Sequence, residues 1–106
     1  MKATIWHNPR CSKSRQALAL LEEAGATIHV VEYLNTPPSR DELARLYARA
    51  GIAPRDAMRK DAPPAADDAA ALDIMATDPA MIERPLIETE KGVVLARPPE
   101  RLRDIL

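Results

Sequence analysis

The apolar positions near the start of the chain change from a strand pattern to a helix pattern and back. Ala3 to Trp6 is a short apolar run that ends at the turn-forming pair Asn8-Pro9. From Ser12 to Ala24 the apolar residues follow one helix face, and Gly25 is a typical helix terminator. Thr27 to Tyr33 is again rich in β-branched residues. This opening predicts a β-α-β unit with parallel strands and a right-handed crossover.

The middle of the chain is predicted to be mainly helical. Ser39 begins a capping box, because Glu42 follows three residues later. The helix that it starts is predicted over Arg40 to Arg49, and Gly51 ends it. Shorter segments are predicted after it: a short helix from Pro54 to about Lys60, a loop over Asp61 to Asp68, a helix from about Ala69 to Ala76, and a short helix over Pro79 to Ile82.

The last part of the chain predicts a hairpin followed by a helix. The strands are Leu86 to Thr89 and Val93 to Ala96, and Glu90-Lys91-Gly92 supplies the glycine that a tight turn needs. Pro98 to Leu106 is predicted as the last helix. Two parallel strands, an antiparallel pair and packed helices predict an α/β fold of the thioredoxin-like kind, with a mixed four-stranded sheet.

Length and composition limit the possible classes of protein. A chain of 106 residues has room for one domain, predicted over residues 1–106. The core must be mainly aliphatic, since the chain has no Phe, one Trp and two Tyr. The net charge of −1 argues against general binding to nucleic acid or to an anionic membrane. No apolar stretch suits a signal peptide or a membrane span, so we expect a cytoplasmic protein.

Cys11 is the only cysteine, and the predicted elements place it at the N-terminus of the first helix. Free N–H groups and the helix dipole favour an anion there, so we expect a lowered thiol pKa. Arg10, Lys13 and Arg15 are close in sequence and favour the thiolate further. A lone cysteine is often a small buried hydrophobe, but these basic neighbours favour a reactive thiol. With no second cysteine, any redox chemistry needs a thiol from another molecule.

Five separated segments resemble the glutaredoxin-dependent arsenate reductase family, which is ArsC-like. They follow the order of that family and cover nearly the whole chain. The segments are NPRCSKSR from Asn8 to Arg15, YLNTPPSRDEL from Tyr33 to Leu43, Met58-Arg59-Lys60, Glu83-Arg84-Pro85, and Ala96-Arg97-Pro98-Pro99. The region between Lys60 and Asp78 is the weakest match, because it is shorter and richer in Ala and Pro than the helical insertion of the family.

The resemblance implies a thioredoxin-like fold with a helical insertion, and reduction of arsenate to arsenite with glutathione and glutaredoxin as thiol donors. It implies no tightly bound cofactor, with glutathione as co-substrate, and no metal. The site residues that it implies are Cys11 as nucleophile, Arg59, Arg84 and Arg97 for the oxyanion, His7 and Ser14 to stabilise the thiolate, and Pro85 as a cis-proline. The chemistry agrees, because planar guanidinium groups can hold two oxygens of a tetrahedral oxyanion.

Several other residues are interpreted as structural. His29 is expected at the surface or a sheet edge, and Trp6 and Tyr33 are expected to pack at strand ends. Asp67-Asp68 resembles a metal or acid–base site only superficially, since no His or Cys is nearby in sequence. For His7 two roles stay open: electrostatic tuning of the thiol if protonated, or a structural hydrogen bond.

Two alternative functions fit the same fold. Some relatives of this fold bind RNA polymerase and regulate transcription, with a Cys-x-x-Cys loop as a redox switch; Ser14 occupies the second position here, which excludes that disulfide. A Cys-x-x-Ser loop also suits a glutathione-linked thiol oxidoreductase acting on another substrate. The three arginines favour an oxyanion over a bulky disulfide as substrate.

Overall fold

The first strand of the protein lies inside the sheet and has a neighbour on each side. The computed structural model describes all 106 residues. Its strands are β1 (Lys2–His7), β2 (Thr27–Glu32), β3 (Leu86–Thr89) and β4 (Gly92–Leu95), arranged in the order β2-β1-β3-β4. β1 is parallel to β2 and antiparallel to β3, which is antiparallel to β4. The predicted mixed four-stranded sheet is confirmed.

Three α-helices and three short 3₁₀ helices connect and cover the strands. The α-helices are α1 (Ser12–Glu23), α2 (Arg40–Ala50) and α3 (Asp68–Thr77). The 3₁₀ helices are Pro54–Ala57, Pro79–Met81 and Pro99–Ile105. No helix has the length and apolar character needed to cross a membrane.

The N-terminal caps explain where two of the α-helices begin. Ser39 Oγ accepts the N–H of Glu42 at 3.1 Å, which is one half of the predicted capping box, while Glu42 Oε1 pairs with Arg45 rather than with the Ser39 N–H. Asp67 Oδ1 accepts the N–H of Ala70 at 2.8 Å, so α3 begins at Asp68, inside the predicted loop. Asp67 therefore has a capping role that the sequence interpretation did not assign, while Asp68 Oδ1 pairs with Arg55.

Two predicted helices differ from the structure. The helix expected from Pro54 to about Lys60 ends at Ala57, because Met58 adopts an extended conformation and forms an isolated β-bridge with Ile82. The last helix is of the 3₁₀ type over Pro99–Ile105. The sequence predicted helical structure in both places but overestimated the length of the first.

The core lies on both faces of the sheet, and β1 contributes to each. Ile5 is fully buried on the side of α1, while Trp6 packs on the opposite side with residues of α2 and α3. Tyr33 belongs to the same cluster as Trp6, which confirms packing roles for both aromatic residues. His29 is exposed on β2, as predicted.

An ionic network fixes α2 to the sheet. Arg45 donates two hydrogen bonds to the Glu88 carboxylate, at 2.7 and 3.0 Å, and Arg49 donates a third at 2.8 Å. Arg49 also donates to the carbonyls of Thr89 and Glu90, so it holds the β3–β4 turn. The bond from Arg45, with help from Arg49, outweighs burial and lowers the pKa of Glu88.

We predict that Glu88→Gln lowers the free energy of unfolding at neutral pH by about 1 kcal/mol, because charge-assisted hydrogen bonds are lost. The folded-state pKa of Glu88 lies below its unfolded value, so this stabilisation is present above the unfolded value and is lost as the pH falls through the folded one. Urea unfolding from neutral to acidic pH measures the difference, with exposed Glu22→Gln as control. A difference that does not change with pH would contradict this explanation.

Candidate active site

The pairing of the strands brings three loops to one edge of the sheet. Trp6 near the end of β1 is opposite Leu86 at the start of β3, and Leu86 is opposite Leu95 at the end of β4. The loop that carries Cys11 therefore lies beside the segments just before β3 and just after β4. Arg84 and Arg97 occupy those two segments.

Cys11 is the N-cap residue of α1, as the sequence predicts. The loop before it is a tight turn, in which the Cys11 N–H donates to the Asn8 carbonyl at 3.0 Å and Asn8 Oδ1 accepts the Arg10 N–H at 3.0 Å. The side chain is partly exposed, and its sulfur makes no regular capping hydrogen bond. The turn thus presents the thiol at the start of the helix, where a small reagent can reach it.

The surroundings of Cys11 favour the thiolate. Burial is the largest single influence and raises the pKa of the thiol. The N–H of Ser14, the hydrogen bond and charge of the Arg84 guanidinium, and the N–H of Lys13 act in the opposite direction. Together they outweigh burial, so the pKa of Cys11 lies below its ordinary value.

The three arginines implied by the resemblance line the same cleft as Cys11. The cleft has a volume of about 580 Å³ and is lined by Cys11, Ser12, Lys13, Arg59, Lys60, Asp61, Glu83, Arg84 and Arg97. Two backbone hydrogen bonds bring Arg59 to it, because the Arg59 N–H donates to the Met81 carbonyl and the Glu83 N–H donates to the Ala57 carbonyl. Arg59 is therefore fixed next to the segment that carries Arg84.

The hydrogen bonds of the arginines leave room for an anion. Arg97 Nη1 donates to the Arg84 carbonyl at 3.0 Å, and Arg59 Nε is 3.2 Å from a carboxylate oxygen of Asp61. Arg84 Nε is buried and has no hydrogen-bond partner in the protein. A buried donor without a partner is costly, and Arg84 itself lies in the wall of the cleft.

Two proline residues at this edge follow cis peptide bonds. The Arg84–Pro85 bond is cis, which is what the resemblance implies for Pro85, and the Arg97–Pro98 bond is cis as well. Pro85 is buried, and its carbonyl accepts the N–H of Ala96 at 2.9 Å. The segments that carry Arg84 and Arg97 are thus joined by a backbone hydrogen bond.

His7 and Ser14 form a buried pair beneath the Cys11 loop. His7 Nδ1 and Ser14 Oγ are hydrogen-bonded at 2.6 Å, and Ser14 Oγ also accepts the Asn8 N–H at 3.1 Å. Burial lowers the pKa of His7, and Arg15 adds to this effect against the opposing charge of Glu32. Of the two roles left open for His7, these features support the structural hydrogen bond. Ser14 acts on the thiol through its backbone N–H.

Tyr33 and Glu83 lie close to the reactive groups, although the sequence analysis assigned neither a role there. Tyr33 packs in the core, yet it also lies beside Asn8 and Arg84; burial raises the pKa of its hydroxyl, and these two neighbours lower it in part. Glu83 places a carboxylate in the cleft itself. The only available signal for Glu83 was its position directly before Arg84.

We predict that the rate at which iodoacetamide alkylates Cys11 rises with pH to a midpoint below the ordinary thiol pKa. We expect Arg84→Met to raise this midpoint pH. The variant removes a hydrogen bond and a positive charge that favour the thiolate. Alkylation rates measured across a pH series give the midpoint. The exposed Arg103→Met is the control, and an equal midpoint in wild type and Arg84→Met would contradict the assignment.

Comparison with known proteins identifies relatives along the whole chain. The ArsC family model matches residues 6–105. The chain is 42% identical to an arsenate reductase of Rhizobium meliloti (strain 1021), covering 100% of this chain and 82% of that protein. It is 40% identical to one from Escherichia coli, covering 97% and 79% respectively.

A solved structure gives the same result for the fold. The arsenate reductase from Vibrio cholerae superposes with a TM-score of 0.93 at 40% identity, covering 100% of this chain and 98% of the other. The sequence matches and this superposition agree with the thioredoxin-like fold and with the resemblance seen in the sequence. The chain belongs to the ArsC family.

Proposed function

We propose that this protein reduces arsenate to arsenite, with Cys11 as the nucleophile and glutathione and glutaredoxin as the electron donors. The observation that carries the proposal is the single cleft in which a thiol of lowered pKa meets Arg59, Arg84 and Arg97. The relatives named as arsenate reductases support the choice of substrate. The reaction requires a reducing compartment, so we place the protein in the cytoplasm.

Binding of arsenate follows from the charges of the cleft. The guanidinium groups donate hydrogen bonds in a planar, paired geometry that suits two oxygens of a tetrahedral anion. Arg84 lines the cleft, and its guanidinium group donates to the bound anion. Since two arginine-bearing segments are hydrogen-bonded to each other, the donors are held in place before the substrate arrives.

The first chemical step joins sulfur to arsenic. The Cys11 thiolate attacks arsenic, a sulfur–arsenic bond forms, and one arsenate oxygen leaves as water after taking up protons. Arsenic stays pentavalent in this step. The arginines stabilise the charge on the remaining oxygens as the bond forms.

Electrons then come from thiols of other molecules, since the chain has one cysteine. The glutathione thiol displaces a second oxygen as water and forms another sulfur–arsenic bond. A glutaredoxin thiolate attacks the glutathione sulfur; that sulfur–arsenic bond breaks, its electron pair stays on arsenic, and a mixed disulfide leaves. Arsenic is now trivalent, and water displaces Cys11 to release arsenite.

Substitutions at the site test the assignment of residues. We expect Cys11→Ser to abolish arsenate-dependent NADPH oxidation in an assay with glutathione, glutaredoxin and glutathione reductase. Arg84→Lys and Arg97→Lys keep the charge but lose the paired donors, and each is expected to lower kcat/KM by about tenfold or more. Arg103→Lys, an exposed residue outside the cleft, is the matched control. Full turnover by Cys11→Ser would contradict the mechanism.

The choice of thiol donor has its own test. We expect turnover when glutathione and glutaredoxin are both present, and its loss when either is omitted, because each forms or breaks a different bond. Thioredoxin with thioredoxin reductase is the comparison donor system. Equal turnover with thioredoxin alone would contradict the glutathione-dependent steps while leaving Cys11 as the nucleophile.

A further inference from the structure

Glu83 places a carboxylate in a cleft whose other features favour anions. Its side chain is 17% exposed, whereas that of Asp61, the other carboxylate lining the cleft, is 69% exposed. The Asp61 charge is therefore well solvated, and the Glu83 charge belongs to the wall of the cleft. A charge of this sign near a bound anion needs an explanation.

Glu83 contacts the protein through one of its two carboxylate oxygens. Its Oε1 accepts the Arg84 N–H at 3.3 Å and forms an ion pair with Arg97 Nη1 at 3.7 Å, a distance too long for a hydrogen bond. Arg97 Nη1 donates its hydrogen bond to the Arg84 carbonyl. Glu83 Oε2 accepts no hydrogen bond from the protein, so this oxygen is free to accept one from a ligand.

An ionised carboxylate can only accept hydrogen bonds. It attracts an oxyanion that carries a proton, because that proton can be donated to it, and it repels an oxyanion that carries none. At neutral pH arsenate and phosphate each keep at least one proton, whereas sulfate keeps none. A fixed carboxylate therefore distinguishes these anions although they have similar shapes and the arginines bind all of them.

We propose that Glu83 is a specificity-determining residue, which accepts a hydrogen bond from the protonated oxygen of bound arsenate and excludes sulfate. The inference rests on the proposed function for the choice of substrate. It also gives Glu83 a role separate from that of the arginines: they supply the attraction to an oxyanion, and Glu83 selects a protonated one.

The test uses protection of Cys11 from iodoacetamide, which measures anion binding without turnover. Phosphate represents a protonated oxyanion and sulfate an unprotonated one. We expect the sulfate concentration that half protects Cys11 in wild type to be about tenfold higher than the phosphate concentration. In Glu83→Gln and Glu83→Ala we expect the two concentrations to become nearly equal. Glu22→Gln, the same substitution on an exposed part of α1, is the control.

Asp61→Asn tests whether the loss of any negative charge from the cleft is enough to change selectivity, since it also removes a carboxylate there. A hydrogen bond specific to Glu83 is not affected by this substitution. We expect this variant to keep the wild-type ratio of sulfate to phosphate. An unchanged ratio in both Glu83 variants, or an equal loss in Asp61→Asn, overturns the inference. If the Glu83 variants lose the ratio while wild type does not turn over arsenate, the proposed function fails and the selectivity of Glu83 is supported.

Discussion

The antiparallel pairing of β1 with β3 determines where the chemistry of this protein can take place. Because Trp6 is opposite Leu86, the loop after β1 and the segment before β3 meet at one edge of the sheet. The same register, continued into β4, brings Arg97 to that edge. A shift of one residue would turn the side chains of β3 to the opposite faces and disturb both halves of the core. The site therefore depends on the core residues that fix this register.

The pKa of Cys11 reflects a balance between burial, which raises it, and hydrogen-bond donors, which lower it. Burial opposes ionisation of Cys11, and it is overcome by the start of α1 together with Arg84. Arg84 lowers the pKa of the thiol and also lines the cleft in which we propose that the anion binds. The nucleophile and the anion site are thus coupled through one side chain, and Glu83 beside it adds selection among anions.

Features set by neighbours in sequence could be predicted from the sequence. The N-cap at Ser39 and the position of Cys11 at the start of α1 are examples, because a few adjacent residues determine each. Periodicity could not show that Arg59 and Arg84 line the same cleft, because a bridge between Met58 and Ile82 brings their segments together. Because of that bridge, the helix that begins at Pro54 is shorter than the sequence predicts. The resemblance named all three arginines, but the free oxygen of Glu83 became visible only in three dimensions.

The assignment of Cys11 and the three arginines to arsenate is tested most directly by a crystal structure of the protein soaked with arsenate in the absence of thiols, with arsenic located by its anomalous scattering. This assignment predicts one arsenic peak bonded to Cys11 Sγ, with the arsenate oxygens in hydrogen-bond contact with Arg59, Arg84 and Arg97. Arsenic bound elsewhere, with the cleft beside Cys11 empty at saturating arsenate, would contradict it.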